Sequence, residues 1–215
     1  MSPSKRRRSP LPEERRRDPE RTRNLILDAA TAEFAAHGYA GARTGAIAAR
    51  AGVNQQLIWY YFDSKEGLAQ AIAERWRQRR SELGAPDMPL SEQFRRYTLE
   101  ALNNRDGARL FAWFGLEYSG PESDPDHEGR AERFQRDIDE VRALQAAGRL
   151  PAEMDPACLI IMLTAAAMAP TTMPQVIECV CRIDPRSPGL LHHYADQVAI
   201  LTRHLGLDQA STRSG

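Results

Sequence analysis

Gln55 and Gln56 stand shortly ahead of three consecutive large aromatics, Trp59, Tyr60 and Tyr61, in the stretch AGVNQQLIWYYFDSKEGL at residues 51–68. A glutamine amide carries a donor and an acceptor side by side, which match N6 and N7 of adenine in a bidentate pair. Tyr and Trp offer flat apolar surface to thymine methyls and sugars, with polar tips for phosphate oxygens. The chemistry these residues support is therefore reading of a nucleic acid. On a helix starting near Gln55, the four-residue step between Ile58 and Phe62 puts those two on one face as core, and leaves Gln55, Gln56, Trp59 and Tyr60 outside. Taken alone, the segment also fits a core helix with a solvated face.

Rival chemistries find little support. His192 and His193 fall in an amphipathic helix and His127 and Glu128 in a polar loop, with no nucleophile, base and orienting acid at a readable spacing. No catalytic residue is expected. Cys158 sits in an apolar run, and Cys179 and Cys181 form a C-x-C without a matching Cys/His pair, so no metal or cofactor is expected and the thiols are read as buried and reduced.

Charge adds a local clue. Lys and Arg number 29 and Asp and Glu 29, so the bulk balance points to no partner, but residues 1–23 hold nine cations against four acids. Such an arm either releases counterions from DNA phosphates or is a solubilising tail. The N-terminus lacks the apolar core of a signal peptide. The longest apolar run, ACLIIMLTAAAMA at 157–169, falls short of the roughly 18 residues a bilayer span needs, so a cytoplasmic protein without membrane contact is expected.

Apolar residues recur at spacings of three and four, with no alternating segments, which predicts an all-α chain of about nine helices. The first runs from about Pro19 to His37, with Ile26, Ala29, Ala30 and Phe34 inward and Gly38 as its stop. Thr44 is the expected N-cap of a short second helix that ends at Gly52, and Ser64 that of a fourth carrying Leu68, Ile72 and Trp76. Two short helices joined by AGVN make a helix-turn-helix, with GAPDMP at 84–89 as the break before the rest. An eighth helix, apolar all round and interrupted at Pro170 and Pro174, should be buried on every side. The last helix places Leu191, Tyr194, Val198, Leu201 and Leu205 at steps of 3, 4, 3 and 4. That spacing suits a subunit seam in a homodimer, or an ordinary core stripe in a monomer.

The longer segment ILDAATAEFAAHGYAGARTGAIAARAGVNQQLIWYYFDSKEGLAQAI resembles the N-terminal DNA-binding region of the tetracycline-repressor (TetR) family of bacterial transcription regulators. The resemblance rests on F-x-x-x-G-Y at Phe34–Tyr39, Thr44 with Ile47 and Ala48, Ala51-Gly52-Val53, and the aromatic run ending Phe62-Asp63-Ser64-Lys65-Glu66 with Leu68. It implies phosphate contacts from Thr44, Tyr61 and Lys65, with Arg43 adding a cation, and base or sugar contacts from Asn54, Gln55, Gln56, Trp59 and Tyr60. Three positions depart from the family pattern: Trp59 replaces a usual Tyr, Leu57 a common Thr or Ser, and Gly45 a longer polar side chain.

The resemblance also implies a C-terminal domain that dimerises through its last two helices and encloses a small molecule. Tyr97, Phe111, Trp113, Phe114, Tyr118 and Met162 are the candidates for lining that cavity, or for a solid aromatic core. The expected layout is a disordered basic arm (1–19), the helix-turn-helix domain (20–66), a connecting helix (67–84), a ligand-binding and dimerisation domain (85–207) and a disordered tail (208–215). The implied function is a ligand-responsive repressor, released from a partly palindromic duplex operator by an apolar or amphipathic effector. An activator, a ligand-independent regulator and an all-helical interaction protein without DNA binding stand as alternatives.

Overall fold

The computed structural model describes residues 12–84 and 88–207 and is all-helical as expected. Helices α1 (Pro12–Gly41, broken at Gly38, whose φ of 71° and ψ of 171° end its regular part where the stop was expected), α2 (Thr44–Ala51), α3 (Gln55–Phe62) and α4 (Lys65–Leu83) come first. They are followed by α5 (Leu90–Asn103), α6 (Arg105–Leu116), α7 (His127–Ala146), α8 (Pro156–Thr172), α9 (Pro174–Cys181) and α10 (Pro188–His204). Two boundaries differ from the expectation. The first helix begins at Pro12 and carries Pro19 inside it, so residues 12–19 of the expected arm are helical. The rest of that arm, 1–11, and the expected tail, 208–215, lie outside the described residues. The helix count rises to ten among the described residues because Pro174 starts α9 afresh after Met173, whereas Pro170 stays inside α8. A proline is well tolerated as the first residue of a helix, where its missing N–H has no partner to lose.

Local chemistry explains the tight spacing of α2, α3 and α4. Gly52 ends α2 in the left-handed conformation at φ 67°, and its N–H reaches back to the carbonyls of Ala48 and Ala49. Asn54 caps α3 and Ser64 caps α4 by accepting from the N–H groups of Gln56 and Gly67. Alone, an eight-residue helix such as α3 is marginal. Its Ile58 and Phe62 are buried in a cluster with Ile26, Phe34, Ile47, Leu68 and Ile72, each large apolar side chain contributing about 1.5–3 kcal/mol. Leu110 of α6 belongs to the same cluster, so this core extends beyond the helix-turn-helix.

A second core joins Leu90 and Phe94 of α5 to Val141 and Leu144 of α7, Leu159, Ile160 and Leu163 of α8, and Val198 of α10. Here three expectations are corrected. The stripe on α10 faces the chain's own interior: Leu191 and Val198 are buried, Leu205 packs on the second core, and the Tyr194 hydroxyl donates to the Ala166 carbonyl at 2.8 Å. Only Leu201 of the five is exposed. The spacing of a stripe is the same whether the partner helix lies in the same chain or in another, which is why the sequence admitted both readings. Next, α8 is not enclosed, because Ile161 and Met162 stand on an open face. Finally, all three cysteines are exposed, since α9 buries none of its residues and Cys158 lies on the open side of α8. Among the described residues no single helix is long and apolar enough to cross a membrane.

Candidate nucleic-acid interface and adjoining cavity

The outer side of α2 and α3 carries the residues expected to meet DNA, and several are already engaged with one another. Arg43, rather than Thr44, occupies the N-cap position of α2, and its side chain makes no capping bond. Thr44 is the first helical residue, and its Oγ1 accepts from Gln55 Nε2 at 2.8 Å. The Gln55 amide is thus tied to the start of α2. A Cβ at Gly45 would lie 3.8 Å from Gln55 Oε1, so the missing side chain there keeps that carbonyl open. Asn54 Oδ1 accepts from the Gln56 N–H at 2.9 Å and is engaged as a cap. Gln56 and Tyr60 point outward, Tyr60 at 80% exposure and Trp59 at 40%, whereas Tyr61 packs partly on the first core. The Tyr60 and Tyr61 rings meet edge to face with centroids 5.2 Å apart, which holds both without burying either completely.

Lys65 is committed to the fold more than its sequence position suggested. Its ammonium donates to the carbonyls of Ala42 at 2.9 Å and Ala40 at 3.4 Å and lies 4.8 Å from the centre of the Tyr39 ring. An ammonium has three donors, so one is left for a phosphate. Beside it, Tyr39 donates its hydroxyl to Glu66 Oε1 at 2.7 Å. Burial, with Glu66 second, pushes the Tyr39 phenol well up, and the Tyr39 bond holds the Glu66 carboxyl below its ordinary range. The sequence reading had Tyr39 only as part of a motif; its ring and hydroxyl in fact tie the end of α1 to the start of α4.

Between α4, α5, α6, α8 and the start of α7 lies a cavity of about 120 Å³. Of the six expected lining residues, Tyr97, Phe111 and Phe114 are on it. The other three are not. Trp113 turns away on α6 and donates its indole N–H to the Ala35 carbonyl of α1 at 3.1 Å. Tyr118 is exposed beyond the end of α6, and Met162 stands on the open face of α8. An α-helix turns 100° per residue, so Trp113 and Phe114 cannot both face one hollow squarely, a point that counting aromatics passes over. Trp76 and Phe94 complete the apolar wall, and Arg80, Arg130 and Arg133 reach its polar side, none of them anticipated. The apolar step from Leu68 and Ile72 to Trp76 was the available signal for Trp76; the arginines gave none.

Known proteins supply a comparison. Residues 26–72 match the family model described as bacterial regulatory proteins of the tetR family, and residues 91–187 the model of the tetracyclin repressor-like C-terminal domain. The chain is 34% identical over 165 residues to the transcriptional repressor SCO4008 of Streptomyces coelicolor, covering 74% of this chain and 83% of that one. It is 42% identical over 55 residues to the transcriptional repressor NicS of Pseudomonas putida, covering 26% of each. Among solved structures, SCO4942 of Streptomyces coelicolor superimposes with a TM-score of 0.69 at 26% identity, over 86% of this chain and 99% of that one.

Proposed function

The chain belongs to the tetR family of bacterial DNA-binding transcription regulators, and on that premise we propose that it is a repressor released from its operator by a small molecule. It is a regulator and not an enzyme. On this reading the protein works in the cytoplasm as a homodimer on a partly palindromic duplex, with one α3 in each of two successive major grooves. Gln55, Gln56, Trp59 and Tyr60 meet bases and sugars, Asn54 positions Gln56, and Arg43, Thr44, Tyr61 and Lys65 meet phosphates. The open faces of α8 and α10, with Ile161, Met162 and Leu201, form the subunit contact.

The observation that carries the reading is the double role of α4. Its Ile72, Trp76, Arg80 and Leu83 wall the cavity, while its first residue, Lys65, follows α3 after only Asp63 and Ser64. Asp63 is itself fixed at φ 65° and Ser64 is a cap, so the joint has little slack. Filling the cavity therefore shifts the helix to which the reading helix is attached. The apolar wall and arginine side favour an amphipathic effector over a purely apolar one.

Binding of the genomic fragments the protein retains, followed by fluorescence anisotropy as candidate effectors are added, tests this. An effector that lowers operator affinity must itself bind more weakly in the presence of operator, by a factor worth about 1–3 kcal/mol. Effector affinity unchanged by saturating operator would overturn the coupling.

A further inference from the structure

We propose that the cavity takes an organic anion, an aromatic or apolar body ending in a carboxylate, and that Arg80 is the residue that receives the carboxylate. This rests on the cavity being the effector site and adds the chemical class of the effector. The charges lining the cavity are three arginines, Arg80, Arg130 and Arg133, and three acids, Glu100, Asp124 and Asp126. Every one of the acids is taken. Asp124 accepts from both Nε and Nη2 of Arg130 at 3.1 and 3.0 Å. Asp126 pairs with Arg133 at 2.5 Å and with Arg77 at 3.4 Å, and Glu100 with Arg79 at 2.9 Å.

Arg80 stands apart. Among the described residues it has no ion pair, and its buried Nε has no hydrogen-bond partner. Its guanidinium carbon lies 4.4 Å from the centre of the Tyr97 ring and 6.0 Å from that of Phe134. Contact with an aromatic ring consumes none of the N–H donors in the planar fork, so they remain available to a carboxylate. Asp137 feels this charge, but burial pushes its carboxyl up against the downward pull of Arg80, Arg136 and Arg133. A half-buried cation left without a partner beside an apolar hollow is costly unless an anion joins it. Trp76, Phe94, Phe111 and Phe114 supply the surface for the body of that anion. Because the acids are already neutralised by their own arginines, they do not repel it.

The test uses a matched pair of probes on the full chain: 2-naphthoate and its neutral counterpart 2-naphthamide, titrated by calorimetry. The parent should bind 2-naphthoate at least tenfold more tightly. Arg80→Met, similar in length but uncharged, should bring the two probes to within about twofold of each other, and Arg80→Lys, which keeps the charge but not the fork, should retain part of the preference. The parent comparison needs no variant, so a poorly folded Arg80→Met does not blunt the test. Equal binding of both probes by the parent, or a preference that survives in Arg80→Met, overturns the assignment while leaving the cavity as a binding site. Failure of both probes to bind, with operator affinity indifferent to each, removes the cavity reading and the proposal with it.

Discussion

Gly107 is the most revealing position to perturb, because on a helix the sign of its effect is not fixed in advance. In an open helical position, replacing Gly by Ala stabilises by about 0.5–1 kcal/mol through lost freedom of the unfolded chain. At Gly107 of α6 an added Cβ would lie 1.6 Å from Cζ2 of Trp76 and 2.5 and 2.6 Å from Cε2 and Cη2. Ordinary carbon contacts are about 3.5–4.0 Å, so the indole edge must retreat by about 2 Å. It can retreat only by swinging into the 120 Å³ cavity or by prising α4 from α6. Overpacking of this kind costs about 1–3 kcal/mol and outweighs the helix gain. Gly115 on the same helix has nothing within 4 Å of its would-be Cβ and serves as the control. Urea unfolding followed by circular dichroism should show Gly107→Ala destabilised and Gly115→Ala slightly stabilised, and 2-naphthoate should bind the first at least tenfold more weakly. Equal stability of the two variants, with probe binding intact in both, would refute the packing of Trp76 on Gly107 and its part in the cavity.

Gln55→Ala should cost about 1–3 kcal/mol at one base pair and relax discrimination there, while Lys65→Ala should weaken all operators alike and also lower stability through the lost carbonyl contacts; anisotropy with single-base operator variants separates the two. Leu201→Asp, on the exposed side of α10, should yield a folded monomer with little operator affinity, and sedimentation showing an intact dimer would count against that contact face. Deleting residues 1–18 should flatten the plot of log affinity against log salt by about 0.9 for each phosphate contact removed, whereas an unchanged slope would mean the arm stays in solvent. Glu66 has its carboxyl lowered by Tyr39, so its contribution to stability is present above the ordinary glutamate range and is lost as pH falls through the lowered value; in Tyr39→Phe an NMR titration should find Glu66 returned toward that ordinary range.

What could be read from the sequence was whatever depends on local spacing. The placement of Ile47, Ile58, Phe62 and Leu68 inward, the left-handed Gly52 and the Ser64 cap each follow from chemistry within a few residues, and all are found so. The candidate reading residues were legible for the same reason: a glutamine or tyrosine on the face opposite Ile58 has to be outside. Misreadings came where a side chain's partner is distant in sequence. Trp113 belongs with Ala35 and Tyr194 with Ala166, pairings that no periodicity contains. The arginine side of the cavity is the extreme case, since Arg80 comes from α4 and Arg130 and Arg133 from α7, two helices that are not neighbours in the sequence, where all three look like any other solvated charges.

The outward placement of Gln56, Trp59 and Tyr60, against the inward placement of Trp76, Phe94 and Phe114, divides the molecule into parts that can change at different rates. Side chains outside both cores can be exchanged within about 0.5 kcal/mol of stability, whereas reshaping a cavity wall built from core aromatics costs several times that. On the proposed reading, lineages descended from such a protein can drift to new operators by single substitutions that leave folding untouched. On the same reading a new effector demands compensating changes elsewhere, so relatives should diversify first in the DNA they recognise and only later in the molecule that releases them.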